Sequence, residues 1–113
     1  MIDVTKQEIG SINVLEICGT LNTANSPEVE EYVNELINEG VNEMILDLDS
    51  LDMISSTGLR IILSTGKKLR KTDGTIVLCR PNKMVSDVLK MSGFSTMFKV
   101  FQSLDDAVDY FKI

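Results

Sequence analysis

At 113 residues, 43% of them hydrophobic and 25% charged, the chain is large enough for one hydrophobic core and reads as a single globular domain over 1–113. Eleven Lys+Arg against 17 Asp+Glu leave a net charge of −6, which argues against nucleic acid or an anionic membrane as the main partner. Histidine is absent, and this removes His-containing triads, imidazole metal ligation and His general-base chemistry together.

No apolar run approaches the ~18 residues of a membrane span. The start MIDVTKQEIG has neither a basic lead nor an apolar h-region, so no secretory signal is visible and a cytoplasmic location is expected. Val4–Ile9 and Ile12–Cys18 read as strands around a Gly10-Ser11 hairpin turn. Ser26 followed by Pro27 predicts a helix N-cap with proline at the first helical position. Val29, Tyr32, Val33, Leu36 and Ile37 then share one helical face, and Gly40 stops the helix.

Met44–Leu48 is short and wholly apolar but for Asp47, the pattern of a central buried strand, and the residues after it read as a loop. From Gly58 onward Leu59, Ile62, Leu63, Gly66 and Leu69 recur at helical spacing until Asp73-Gly74. Lys67, Lys68, Arg70 and Lys71 fall at that helix's C-terminal end, where cations complement the dipole. Thr75–Cys79 reads as a second buried strand. Asn82–Ser92 reads as a short helix stopped by Gly93, with Val85, Val88 and Leu89 inward. Phe98–Phe101 suggests an edge strand. Leu104–Phe111 is a last helix, with Ser103 and Asp106 resembling a capping box.

The alternation predicts an α/β fold with a mixed sheet of four to five strands and about four helices. Cys18 and Cys79 each end a strand-like run, form no Cys-x-x-Cys pair and are expected to be reduced core residues. No paired carboxylates stand at an acid/base or metal spacing. No catalytic residue, metal or cofactor is expected.

Ser55-Ser56-Thr57-Gly58 sits where the buried strand hands over to the long helix. The first-turn N–H groups there have no intrahelical partner and the dipole favours negative charge. A serine at that place can cap the helix, and it can also carry a phosphoryl group without wrecking the fold. The cluster is no P-loop, since no glycine precedes it at the required spacing and no lysine follows Gly58. Nor is it a nucleophile elbow, which needs glycine on both sides of the serine.

The run MILDLD, SLDMI, S-S-T-G-L-R and an apolar helix closely resembles the STAS domain, the fold of bacterial anti-sigma factor antagonists. Gly19-Thr20-Leu21-Asn22 echoes a second element of that family, and Met91-Ser92-Gly93-Phe94 a third; the likeness runs essentially the whole length. It departs at Ser55 and Asn22, where many members carry Asp, and at Arg60, often Gly.

The resemblance implies a binding module, not an enzyme. In that role the chain binds an anti-sigma factor that is also a serine kinase and so frees the sigma factor. Phosphorylation of Ser56, with Thr57 and Ser55 as rivals, breaks the complex, and a serine phosphatase resets it. The implied contact set is Asn22, Thr23, Ser55, Ser56, Thr57, Gly58 and Arg60. The alternative is a constitutive STAS scaffold in a sensor or lipid-transport assembly, its hydroxyls acting only as caps. A small enzyme or nucleotide-binding domain is a third, weaker reading.

Overall fold

The computed structural model describes residues 2–112. The chain begins with a hairpin of β1 (Ile2–Ile9) and β2 (Ile12–Leu21), whose ladder pairs Ile9 with Ile12 across a two-residue turn. Gly10 takes φ +61 there, as a tight hairpin turn demands of its first central residue. Helix α1 (Ser26–Asn38) follows, then β3 (Glu43–Asp47), β4 (Leu51–Ile54) and α2 (Ser56–Arg70). The remaining elements are β5 (Thr75–Cys79), α3 (Lys83–Met91), the single turn α4 (Phe94–Met97), β6 (Val100–Phe101) and α5 (Leu104–Phe111).

The sheet runs β1-β2-β3-β5-β6, antiparallel at the hairpin and parallel elsewhere. β4 pairs in parallel with β2 at Gly19–Leu21, beyond the stretch Asn13–Glu16 that β3 occupies, with a register shift between Gly19 and Thr20. The chain thus leaves β3, bends through Leu48–Ser50 and rejoins the same neighbour further along.

Alternation sorts the core into two layers. Leu15, Ile17, Met44, Leu46, Ile76 and Leu78 face α1, α2 and α3, meeting Val33, Leu36, Ile62, Leu69, Val85 and Leu89. Ile12, Val14, Ile45, Val77 and Cys79 face the opposite side, where Ala107 and Val108 of α5 cover them. β3 is buried throughout except at Glu43, consistent with a strand covered on both faces.

Among the described residues there are six strands and five helices, one strand and one helical turn more than the sequence suggests. β4 was expected as loop; its Asp52 and Met53 are exposed and only Leu51 and Ile54 are buried, too short a pattern to announce a strand. Ser26 is not the N-cap of α1. Asn25 holds that position and Ser26 is the first helical residue, fully buried, its Oγ donating to Asn22 O at 2.5 Å. The predicted strand Phe98–Phe101 shrinks to Val100–Phe101, because Phe98 turns inward from α4 and stacks near Phe94 with ring centroids 5.6 Å apart.

Cys79 is buried as expected, but Cys18 is only half-buried, its thiol 3.8 Å from Glu16 Oε1. No helix among the described residues is long and apolar enough to cross a membrane.

Candidate functional site

Two loops meet at the end of the sheet where the parallel strands finish. One joins β2 to α1 and the other joins β4 to α2. Asn22 builds the first. Its Oδ1 accepts from Ala24 N at 2.9 Å and Asn25 N at 3.1 Å, while its own N–H donates to Asn25 Oδ1 at 2.9 Å. Asn25 Nδ2 closes the loop by donating to Thr20 O at 2.7 Å. The Asn22 side chain therefore serves as an acceptor from backbone amides, a role a carboxylate fills equally well.

The second loop is pinned from both sides. Ser55 N–H donates to Leu21 O at 2.9 Å, continuing the β2–β4 ladder by one bond. Ser55 then takes extended dihedrals (φ −86°, ψ 171°) as N-cap of α2, its Oγ accepting from Gly58 N at 3.1 Å. Gly58 has no room for a side chain: a Cβ would sit 2.8 Å from both Ile54 Cγ1 and Leu21 Cγ. The glycine lets the first turn of α2 press directly on the ends of β2 and β4.

The three hydroxyls consequently differ. Ser55 is used as the cap. Thr57 Oγ1 lies 3.1 Å from Thr23 Oγ1 and stitches the two loops together. Ser56, the first helical residue, is exposed, and its hydroxyl has no hydrogen-bond partner among the described residues. The first turn carries no acidic side chain, so its free N–H groups keep their positive end uncompensated.

Thr23, Ser56 and Arg60 are exposed; Asn22, Ser55 and Thr57 are half-buried; Gly58 is buried. Arg60 falls one residue past the first turn of α2, not within it, and makes no ion pair among the described residues. The basic residues Lys67, Lys68 and Arg70 occupy the last turn of the same helix, at its far end.

Sequence reading missed the brace behind the site. Asp47, 3% exposed at the end of β3, accepts from Arg80 Nε at 3.1 Å and from its terminal nitrogen at 2.5 Å. The hydrogen bond to Asp47, reinforced by the charges of Asp47 and Asp49, raises the Arg80 guanidinium above its ordinary value despite burial. Arg80 takes φ +56, so the chain turns sharply toward α3. Two residues on, Asn82 caps α3 by accepting from Val85 N at 2.7 Å. Its Nδ2 reaches back to Leu51 O at 3.0 Å and Asp52 O at 3.3 Å, the outer edge of β4. An acidic residue ending an apolar strand was the only available signal, and its partner lies 33 positions away.

The STAS domain profile matches residues 3–107, and the chain belongs to the STAS domain family. Among its relatives is BtrV of Bordetella bronchiseptica, whose name places it with the anti-sigma factor antagonists. It is 35% identical over 109 residues, spanning 96% of this chain and 94% of BtrV.

The structure of an anti-sigma factor antagonist from Mycobacterium paratuberculosis superposes with a TM-score of 0.92 at 19% identity, covering 100% of this chain and 96% of that one. SpoIIAA, an anti-sigma factor antagonist, shares the fold as well. Its unphosphorylated form gives a TM-score of 0.85 at 18% identity, covering 97% and 96% of the two chains. Its phosphorylated form gives 0.75 at 17% identity, covering 96% and 98%.

Proposed function

We propose that this chain is an anti-sigma factor antagonist whose docking face is the paired-loop surface around Ser56, and that phosphorylation of Ser56 switches that face off. The observation that carries the proposal is the division of labour among three adjacent hydroxyls. Ser55 is committed to the cap and Thr57 to the Thr23 contact, while Ser56 stands exposed at an uncompensated helix N-terminus. The names of BtrV and SpoIIAA support the assignment of partner, and the two recorded states of SpoIIAA support the modification.

The physics of the switch is local. A phosphoryl group adds about −1.5 to −2 charges and three acceptor oxygens. The helix N-terminus, worth about half a positive charge, offsets part of that within the domain, so the architecture persists. A partner carboxylate ~6 Å away meets repulsion of about 4–5.5 kcal/mol at an effective dielectric constant near 20. That approaches the ~5.5 kcal/mol that takes an equilibrium from 1:99 to 99:1.

In this reading the partner is an anti-sigma factor with serine kinase activity, which supplies ATP and Mg²⁺, and a serine phosphatase resets the cycle. The chain acts as substrate and ligand in that cycle, with no catalytic step of its own. The test is to incubate it with ATP and the anti-sigma factor of its own organism and map the modified residue by peptide mass spectrometry. Phosphate on Ser56, absent in Ser56→Ala, is the expected result. Phosphate on none of Ser55, Ser56 or Thr57 contradicts the proposal and favours a constitutive scaffold.

A further inference from the structure

β5 runs beside β3 along its whole length, but β6 pairs with it only at Leu78 and Cys79. Its backbone groups alternate between the two sides. Thr75 N–H donates to Asn42 O and Cys79 O accepts from Leu48 N, each at 2.8 Å, so the odd-numbered residues face β3. Leu78 N–H donates to Lys99 O and Arg80 N–H to Phe101 O, each at 2.9 Å, so the even-numbered residues face β6. Ile76 belongs to the second set, yet the register with β6 starts two residues later. Its amide and carbonyl therefore open on the sheet edge below β6, on a residue only 8% exposed. Unpaired main-chain groups on a strand edge are free to pair with a ligand or another chain.

A cleft of about 270 Å³ lies on that edge, with Ile76 in one wall and Arg70 of α2 in another. Phe98 floors it. A Cβ on Gly66 would lie 2.8 Å from Phe98 Cε1, so the ring rests on bare helix backbone. Tyr110, 37% exposed and with its ring centroid 5.6 Å from that of Phe101, and the exposed Lys99 also line it. Neither Arg70 nor Lys99 makes an ion pair among the described residues, and no acidic side chain lines the cleft. Two free cations on an aromatic cleft are notable in a chain whose net charge is −6.

We propose that this cleft binds a small anion carried on a flat apolar body, an aromatic carboxylate or aryl phosphate. The charged end meets Arg70 and Lys99 and accepts from the Ile76 amide; the ring lies against Phe98 and Tyr110. A volume just under the usual drug-sized range limits the occupant to about one ring. The site is separate from the Ser56 face. Arg70 ends the helix that Ser56 begins, fourteen residues or ~21 Å along its axis.

The experiment titrates the ¹⁵N-labelled chain with benzoate, phenyl phosphate and the neutral isostere benzamide, following amide shifts. Saturable shifts at Ile76 and Lys99 are expected for at least one anion, with the Ser56 amide unmoved. The preferred anion distinguishes carboxylate from phosphate. Benzamide is expected to bind at least tenfold more weakly, and the double variant Arg70→Gln/Lys99→Gln to lose about tenfold for the anion. Shifts that stay linear for both anions, benzamide binding as tightly, or undiminished affinity in the double variant each overturn the proposal. Should the double variant fail to fold, the benzamide comparison on the unaltered chain decides.

Discussion

Neighbouring residues in the Ser55–Gly58 turn carry separate tasks, and each can be removed alone. Gly58→Ala adds one methyl group where two side chains already lie 2.8 Å from the would-be Cβ. Overpacking of this kind costs about 1–3 kcal/mol, and urea unfolding should register it with little change in the circular dichroism of the folded state. Cys79 gives a test through pH. Burial first, and then the charge of Asp47, push its thiol from 9.0 up to about 12. The unfolded state therefore releases its proton first. The stabilising preference for the neutral thiol is complete below pH 9 and is lost as pH rises toward 12. Alkaline titration of stability should accordingly fall less steeply between those limits in Cys79→Ala than in the unaltered chain.

At the scale of elements, β4 is the piece that delivers the turn, and it is held by side chains from afar. Arg80 pairs with Asp47, and Asn82 then fastens the outer carbonyls of β4. Arg80→Ala leaves a buried carboxylate with no cation. Loss of one partner from a buried pair costs about 3–5 kcal/mol, and the 35% exposure of the arginine side chain lets water in and brings this to roughly 2–3 kcal/mol. Thermal unfolding should show that loss, and hydrogen exchange at Leu51–Ile54 should rise ahead of that in β3.

The strongly periodic elements were legible in the residues. Buried faces in α1, α2, α3 and α5 follow the spacing of Val29, Ile62, Val85 and Val108, and β3 and β5 follow their apolar runs. The Ser-Ser-Thr-Gly cluster announced a capping hydroxyl at the helix start, and the structure assigns that role to Ser55. The strand β4 was not, because a four-residue segment with two exposed positions has no detectable period. Asn25 displaced Ser26 as cap because the Asn22 loop closes over the serine, a local turn whose Asn22-to-Ser26 hydrogen bonds compete with the Ser-Pro start signal. The Asp47–Arg80 pair was hidden for a different reason, since its partners lie 33 positions apart.

Over the whole molecule, the fold separates a rigid helix-covered sheet from the loop surface proposed to meet a partner. Both faces of the sheet are covered by helices, while the two loops that share the Thr23–Thr57 contact stand at its end. Ser56 is exposed, so a charge placed there stays in solvent, and binding and folding should respond to it independently. The basic end of α2 lies a full helix length away and should not mask the change.

Under the proposed function the oxygen of Ser56 governs docking and leaves the architecture alone. Calorimetric titration of the anti-sigma factor with the unaltered chain and with Ser56→Asp probes this. We expect Ser56→Asp to bind at least a hundredfold more weakly while its unfolding free energy changes by no more than the ordinary surface substitution, about 0.5 kcal/mol. Equal affinity of the two proteins would contradict the claim.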